Sequence, residues 1–85
     1  TKASFMEEAA DRGITKAISQ FGVRLLHGVN IPTDLKRAVA YLSDAAQKQD
    51  GEALRQLGYA YAHGLGVERN IAKAKQLMQA SVDLG

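Results

Sequence analysis

At 85 residues the chain is one small domain, and a chain of that size buries only a modest share of its surface. Apolar residues make up 46% and charged residues 24%, an ordinary globular balance that argues against disorder. A net charge of +2, with basic residues scattered apart from Lys36–Arg37 and Lys73–Lys75, is too weak an electrostatic footprint for nucleic acid or an anionic membrane. The absence of cysteine removes disulfides, thiolate zinc sites and a cysteine nucleophile, and leaves the compartment open. No apolar run approaches membrane-spanning length. The chain opens on Thr1, which points to a processed or excised segment.

Five helices are expected in chain order. Lys2 to Arg12 carries Phe5, Met6, Ala9 and Ala10 on one stripe and a Glu8–Arg12 pair one turn apart. Gly13 is the expected stop. A second helix spans Ile14 to His27, with Thr15 as its cap and Ala17, Ile18, Phe21, Gly22 and Leu25 as its buried stripe. The turn Gly28 to Asp34 follows. Gly28 and Asn30 suit positive φ, and Ile31 is the apolar anchor.

Asp34 caps a third helix running to about Gln49, whose apolar face is Leu35, Ala38, Tyr41, Leu42, Ala45 and Ala46. Asp50 caps the fourth, Gly51 to His63. After the turn Gly64 to Arg69, Asn70 caps the fifth, Ile71 to Leu84, with the stripe Ile71, Ala74, Leu77, Met78, Ser81 and Val82. No segment shows strand alternation. Short connections make consecutive helices antiparallel neighbours.

The chain repeats itself. Ala17, Gln20, Gly22, His27, Gly28 and Ala38 recur 36 residues later as Ala53, Gln56, Gly58, His63, Gly64 and Ala74, without a gap. A fixed period of this size marks a stacked helical repeat. Glycine at the same mid-helix position in both copies, Gly22 and Gly58, predicts close approach of a neighbouring backbone, since glycine there costs ~1 kcal/mol relative to alanine. The expected organisation is a leading helix over 1–13 and repeats over 14–49 and 50–85. Lys2 and Ser81 stand where alanines pack in the other copies and are candidates for blunting the two ends. A piece of a longer array is the competing expectation.

The run from Ala53 to Ala74, A-L-R-Q-L-G-Y-A-Y-A-H-G-L-G-V-E-R-N-I-A-K-A, resembles a Sel1-like repeat. Ala53, Leu57, Gly58, Tyr61, Gly64, Gly66, Val67, Asn70, Lys73 and Ala74 carry the likeness, and Ala45, Ala46 and Asp50 match the linker between repeats. The first copy departs at Ile14, Leu25 and Asn30. The resemblance covers essentially the whole chain. It implies an all-α solenoid of antiparallel helix pairs, related to tetratricopeptide repeats, whose first helices line a concave face. It also implies an adaptor or scaffold that holds partner proteins.

If the first helices line such a groove, the residues off their buried stripes are the candidate partner-binding set. These are Lys16, Ser19, Gln20, Val23 and His27 in one copy, and Glu52, Arg55, Gln56, Tyr59 and His63 in the other. Arg55 and Tyr59 are the expected centre, because Arg and Tyr are enriched where binding energy concentrates. His27 and His63 share a repeat position, but zinc needs three or four converging ligands and no third repeats beside them. Both sit in the last turn of a helix, where the dipole favours histidine.

Neither a catalytic site nor a cofactor is expected. Glu7 and Glu8 diverge around a helix, Ser19 has no neighbouring base, and Gly64-Leu65-Gly66 follows a helix where a nucleotide loop follows a strand. Some secreted members of the resembled family are proposed to bind or cleave β-lactams, which makes a small secreted or periplasmic enzyme or ligand-binding protein the alternative function. A groove with Lys16 and Arg55 against Glu52 lacks the basic stripe of an RNA reader. The expected partner is therefore a protein, with no membrane insertion. Self-association through the end helices, at Phe5 and Met6 or Leu77 and Met78, is expected if the chain is complete.

Overall fold

Asp34, Asp50 and Asn70 each begin a helix, and each does so by the same local chemistry. A side-chain oxygen accepts the backbone N–H three residues on: Asp34 from Arg37 at 3.2 Å, Asp50 from Ala53 at 2.9 Å, Asn70 from Lys73 at 3.0 Å. One of the unpaired donors of the first turn is thereby satisfied. The computed structural model describes residues 2–84, with side chains from 13 to 84. It contains α1 (Lys2–His27), α2 (Leu35–Gln47), α3 (Gly51–His63) and α4 (Ile71–Leu84). The expected Phe5–Met6–Ala9–Ala10 stripe, the Glu8–Arg12 pair and the role of Lys2 lie outside the described side chains.

There are four helices, not five, because the chain does not break at Gly13. The contrast with the second copy explains this. There, Gln49 takes φ 63° and Asp50 is extended, capping α3 with its carboxylate. Asp50 corresponds to Ile14, whose side chain accepts no hydrogen bond. Without a cap to compete, the helical N–H groups stay in the α1 ladder and Gly13 is an interior helical residue. Thr15 is accordingly not a cap but a buried residue within α1.

The turns behave alike. Gly28 and Gly64 are left-handed at φ 69° and 66°, and Asn30 and Gly66 are left-handed at 65° and 72°. In each copy the capping residue at the end of the turn returns to the preceding helix: Asp34 N–H donates to Leu25 O at 3.0 Å, and Asn70 N–H to Tyr61 O at 2.9 Å. Ile31 and Val67 are half-buried against the core, as anchors of their turns.

The helices stack as α1 on α2, α2 on α3 and α3 on α4, with α1 also touching α3. This is an α-solenoid of the tetratricopeptide-like type, 43 × 29 × 16 Å. Its core is Leu25, Leu26, Ala38, Leu42, Ala45, Ala53, Leu57 and Ala60. The repeated glycines lie where helices touch. A Cβ on Gly22 would meet Leu42 Cγ at 2.9 Å and Ala38 O at 3.4 Å; one on Gly58 would meet Met78 Cγ at 2.9 Å and Ala74 O at 3.1 Å. The expectation from their spacing is met: each pair closes on a glycine.

Two expected stripes are corrected. Among the described side chains of α1 the buried residues are Thr15, Ser19, Gly22, Leu25 and Leu26, while Ala17 and Phe21 are exposed. Residues Ala53 and Leu57, their counterparts in α3, are buried. The side of α3 that carries them is the side that packs on the first helix pair. The corresponding side of α1 has no such pair against it among the described residues. In α4 only Ala74 of the expected stripe is buried, for the converse reason: α3 covers that face of α2, and no described helix covers it on α4.

Candidate functional site

Off the buried stripes, the end of α1 and the length of α3 meet through side chains. His27 ends α1, and its Nε2 donates to Gln56 Oε1 at 3.1 Å. Gln56 Nε2 in turn donates to Glu52 Oε1 at 3.4 Å, and the other carboxylate oxygen of Glu52 is paired with Arg55. The result is a continuous polar chain across the α1–α3 seam. The His27 ring also meets Tyr59, which is 5.6 Å from His27 and 4.4 Å from His63, centroid to centroid. Two histidines one repeat apart thus bracket a tyrosine. Of the ten candidate residues, His27, Glu52, Arg55, Gln56, Tyr59 and His63 form this cluster.

The others are distributed differently. Lys16 and Gln20 are exposed on α1. Ser19 is only 1% exposed and its Oγ has no hydrogen-bond partner among the described residues, so it is a core residue and not available at a surface. Val23 is half-buried and packs against the core. Both lie in the seam because α3 lies alongside the equivalent stretch of α1; their counterparts Arg55 and Tyr59 are exposed because no described helix lies alongside α3 there. Repeat position alone therefore does not determine accessibility; which neighbour follows does.

The contacts of cations over aromatic rings were not among the candidates. Arg37 lies 5.9 Å over both Phe21 and Tyr41, whose rings meet edge to face at 5.2 Å. Hydrogen bonding to Tyr41 raises the Arg37 pKa above its ordinary value, so the group is a permanent cation. Its counterpart Lys73 lies 5.1 Å over Tyr61. A cation four residues before or twelve residues after an aromatic was the signal available for these pairs. Shallow clefts flank them, one lined by Tyr61, Val67, Glu68, Arg69, Asn70 and Lys73 and another by Phe21, Leu25, Ile31, Pro32, Thr33, Asp34 and Arg37. They occupy equivalent places in the two copies.

Among the described residues no group of three or more His, Cys, Asp or Glu side chains is placed to hold a metal ion, and no helix is long and apolar enough to cross a membrane. No curated protein and no solved structure matches the chain. The family model for the Sel1 repeat matches it twice, over residues 16–50 and 51–85. Sel1 repeats are generally protein-interaction modules and typically not enzymes. With the match covering most of its length and the helix pairs repeating in space, the chain belongs to the Sel1 repeat family.

Proposed function

We propose that the chain is an adaptor module that holds a partner polypeptide across the face shared by α1 and α3. The observation that carries this reading is the His27–Gln56–Glu52–Arg55 chain with Tyr59 against His27. It joins the two first helices into one patch with donors, acceptors and aromatic surface. Such a patch suits a peptide: the amide and carboxylate groups meet backbone polar groups, and Tyr59 supplies rigid contact area at low entropic cost. Lys16, Gln20 and His63 extend the patch along the helices.

The test is affinity capture from the native cell extract with the whole chain as bait, against an Arg55→Ala/Tyr59→Ala control. Both residues are exposed, so the control keeps its helicity. A protein captured by the wild type and lost by the control supports the reading. Equal capture by both moves the partner off this face and refutes it.

A further inference from the structure

The second helices of the two repeats stand apart. Each packs on α3, yet α2 and α4 do not come within 8 Å of each other, Cα to Cα. Leu54, Leu57 and Tyr61 of α3 line the groove between them, with Ala46 of α2 and Leu77 and Lys73 of α4. This part has a volume of about 290 Å³. Ala46 and Leu54 also line the part that follows, of about 280 Å³, where Ala80 and Asp83 of α4 join them. Alanine at 46 and 80 leaves the space between the two helices unfilled. The groove lies within the stack, with a described helix on either side and a third between them.

Two charges of opposite sign mark this apolar groove. Lys73 Nζ lies 5.1 Å over the Tyr61 ring, which holds the ammonium beside the apolar lining. Lys73 stands in the first turn of α4, where the helix dipole opposes a cation, and that turn has no acidic side chain to offset it. Asp83 accepts from Gln79 Nε2 at 2.9 Å through one carboxylate oxygen. The one ion pair among the described residues is Glu52–Arg55, so neither Lys73 nor Asp83 is neutralised by an opposite charge there. The two are ten residues apart on α4, which at 1.5 Å per residue is about 15 Å.

That arrangement defines an occupant. A uniformly acidic segment is repelled at Asp83 and a uniformly basic one at Lys73. An extended chain advances about 3.3 Å per residue and points alternate side chains to one side. Its first, third and fifth residues therefore face the groove together over about 13 Å, and long charged side chains at the two ends cover the rest of the span.

We propose that the α2–α4 groove binds an extended segment of a partner polypeptide with an acidic residue at one end, a basic residue four positions away and an aliphatic residue midway. The acid meets Lys73, the aliphatic side chain lies over Leu54 between Ala46 and Leu77, and the base meets Asp83. None of these residues belongs to the α1–α3 patch, so the proposal does not rest on the adaptor reading of that patch.

The test titrates the isotope-labelled full chain with the peptide acetyl-Glu-Ser-Leu-Ser-Lys-amide, followed by nuclear magnetic resonance. Saturable shifts at Leu54, Lys73, Leu77 and Asp83 are expected. Peptides with glutamate at both ends, or lysine at both ends, should bind more weakly by roughly threefold or more, the scale of an exposed ion pair. In a Lys73→Glu chain the preference should reverse, with the peptide carrying lysine at both ends the tighter. Asp83→Lys is the second variant, and it should prefer the peptide carrying glutamate at both ends. Both positions are exposed, and a merely structural loss would weaken all three peptides without reversing their order. The Arg55→Ala/Tyr59→Ala chain should bind the first peptide as the wild type does. No saturation, an unchanged order of the peptides in both charge variants, or loss of binding in the Arg55→Ala/Tyr59→Ala chain overturns the proposal.

Discussion

Gly13 and Gly22 lie in the same helix nine residues apart, and alanine at the two should act with opposite sign. At Gly13 the backbone is helical and an added Cβ meets nothing within 4 Å. Only the intrinsic preference for alanine remains, a gain of about 0.8–1 kcal/mol in a helix interior. For a domain of this size that raises Tm by roughly 4–8 °C. At Gly22 the same preference is opposed by contact with Leu42 Cγ at 2.9 Å and Cδ2 at 3.0 Å. Leu42 is fully buried and cannot swing aside, and overpacking of this kind costs about 1–3 kcal/mol, so Gly22→Ala should be net destabilising by roughly 1 kcal/mol. Circular dichroism under heating and urea checks both. A fall in stability for Gly13→Ala would mean that this residue takes positive φ at a turn, as Gln49 does, and would refute the continuous α1. Stabilisation by Gly22→Ala would refute the close α1–α2 contact.

Two further substitutions test the packing. Ser19→Ala removes a buried hydroxyl without a partner among the described residues and should stabilise the chain by about 1 kcal/mol in urea unfolding; a loss instead would show that the hydroxyl is hydrogen-bonded. Gly66→Ala places a side chain at φ 72° with its Cβ 2.6 Å from Leu35 O and should cost about 2–3 kcal/mol. Asn30→Gly at the equivalent position should change stability by less than about 1 kcal/mol.

What could be read from the residues was what depends on near neighbours in sequence. The caps at Asp34, Asp50 and Asn70, the left-handed residues at Gly28, Asn30, Gly64 and Gly66, and the glycine contacts within each helix pair all follow from side chains a few positions apart or from exact repetition. The helix boundary expected at Gly13 is absent because of one substitution. Gly13 can turn the chain, but a turn there also needs an acceptor at position 14, and isoleucine has none. The burial of Ser19 and the exposure of Phe21 were not legible, because they depend on how one helix pair lies against the next. The period reveals equivalent positions, whereas burial depends on which equivalents have a neighbour. The polar chain from His27 to Arg55 was visible as a set of candidates, and its connection across the seam was a matter of tertiary placement.

The order of stacking also governs how the chain reaches its structure. Every helix contact joins elements that are adjacent or next but one along the polypeptide. Chain segments therefore travel short distances to meet, little loop entropy is spent before contacts form, and folding on the microsecond-to-millisecond scale of low-contact-order helical proteins follows. The α1–α2 and α3–α4 hairpins, each closed on its own glycine and each fastened by its own turn, are the natural local units. The seam through Leu42, Ala45, Ala53 and Leu57 is the packing that couples one hairpin to the other.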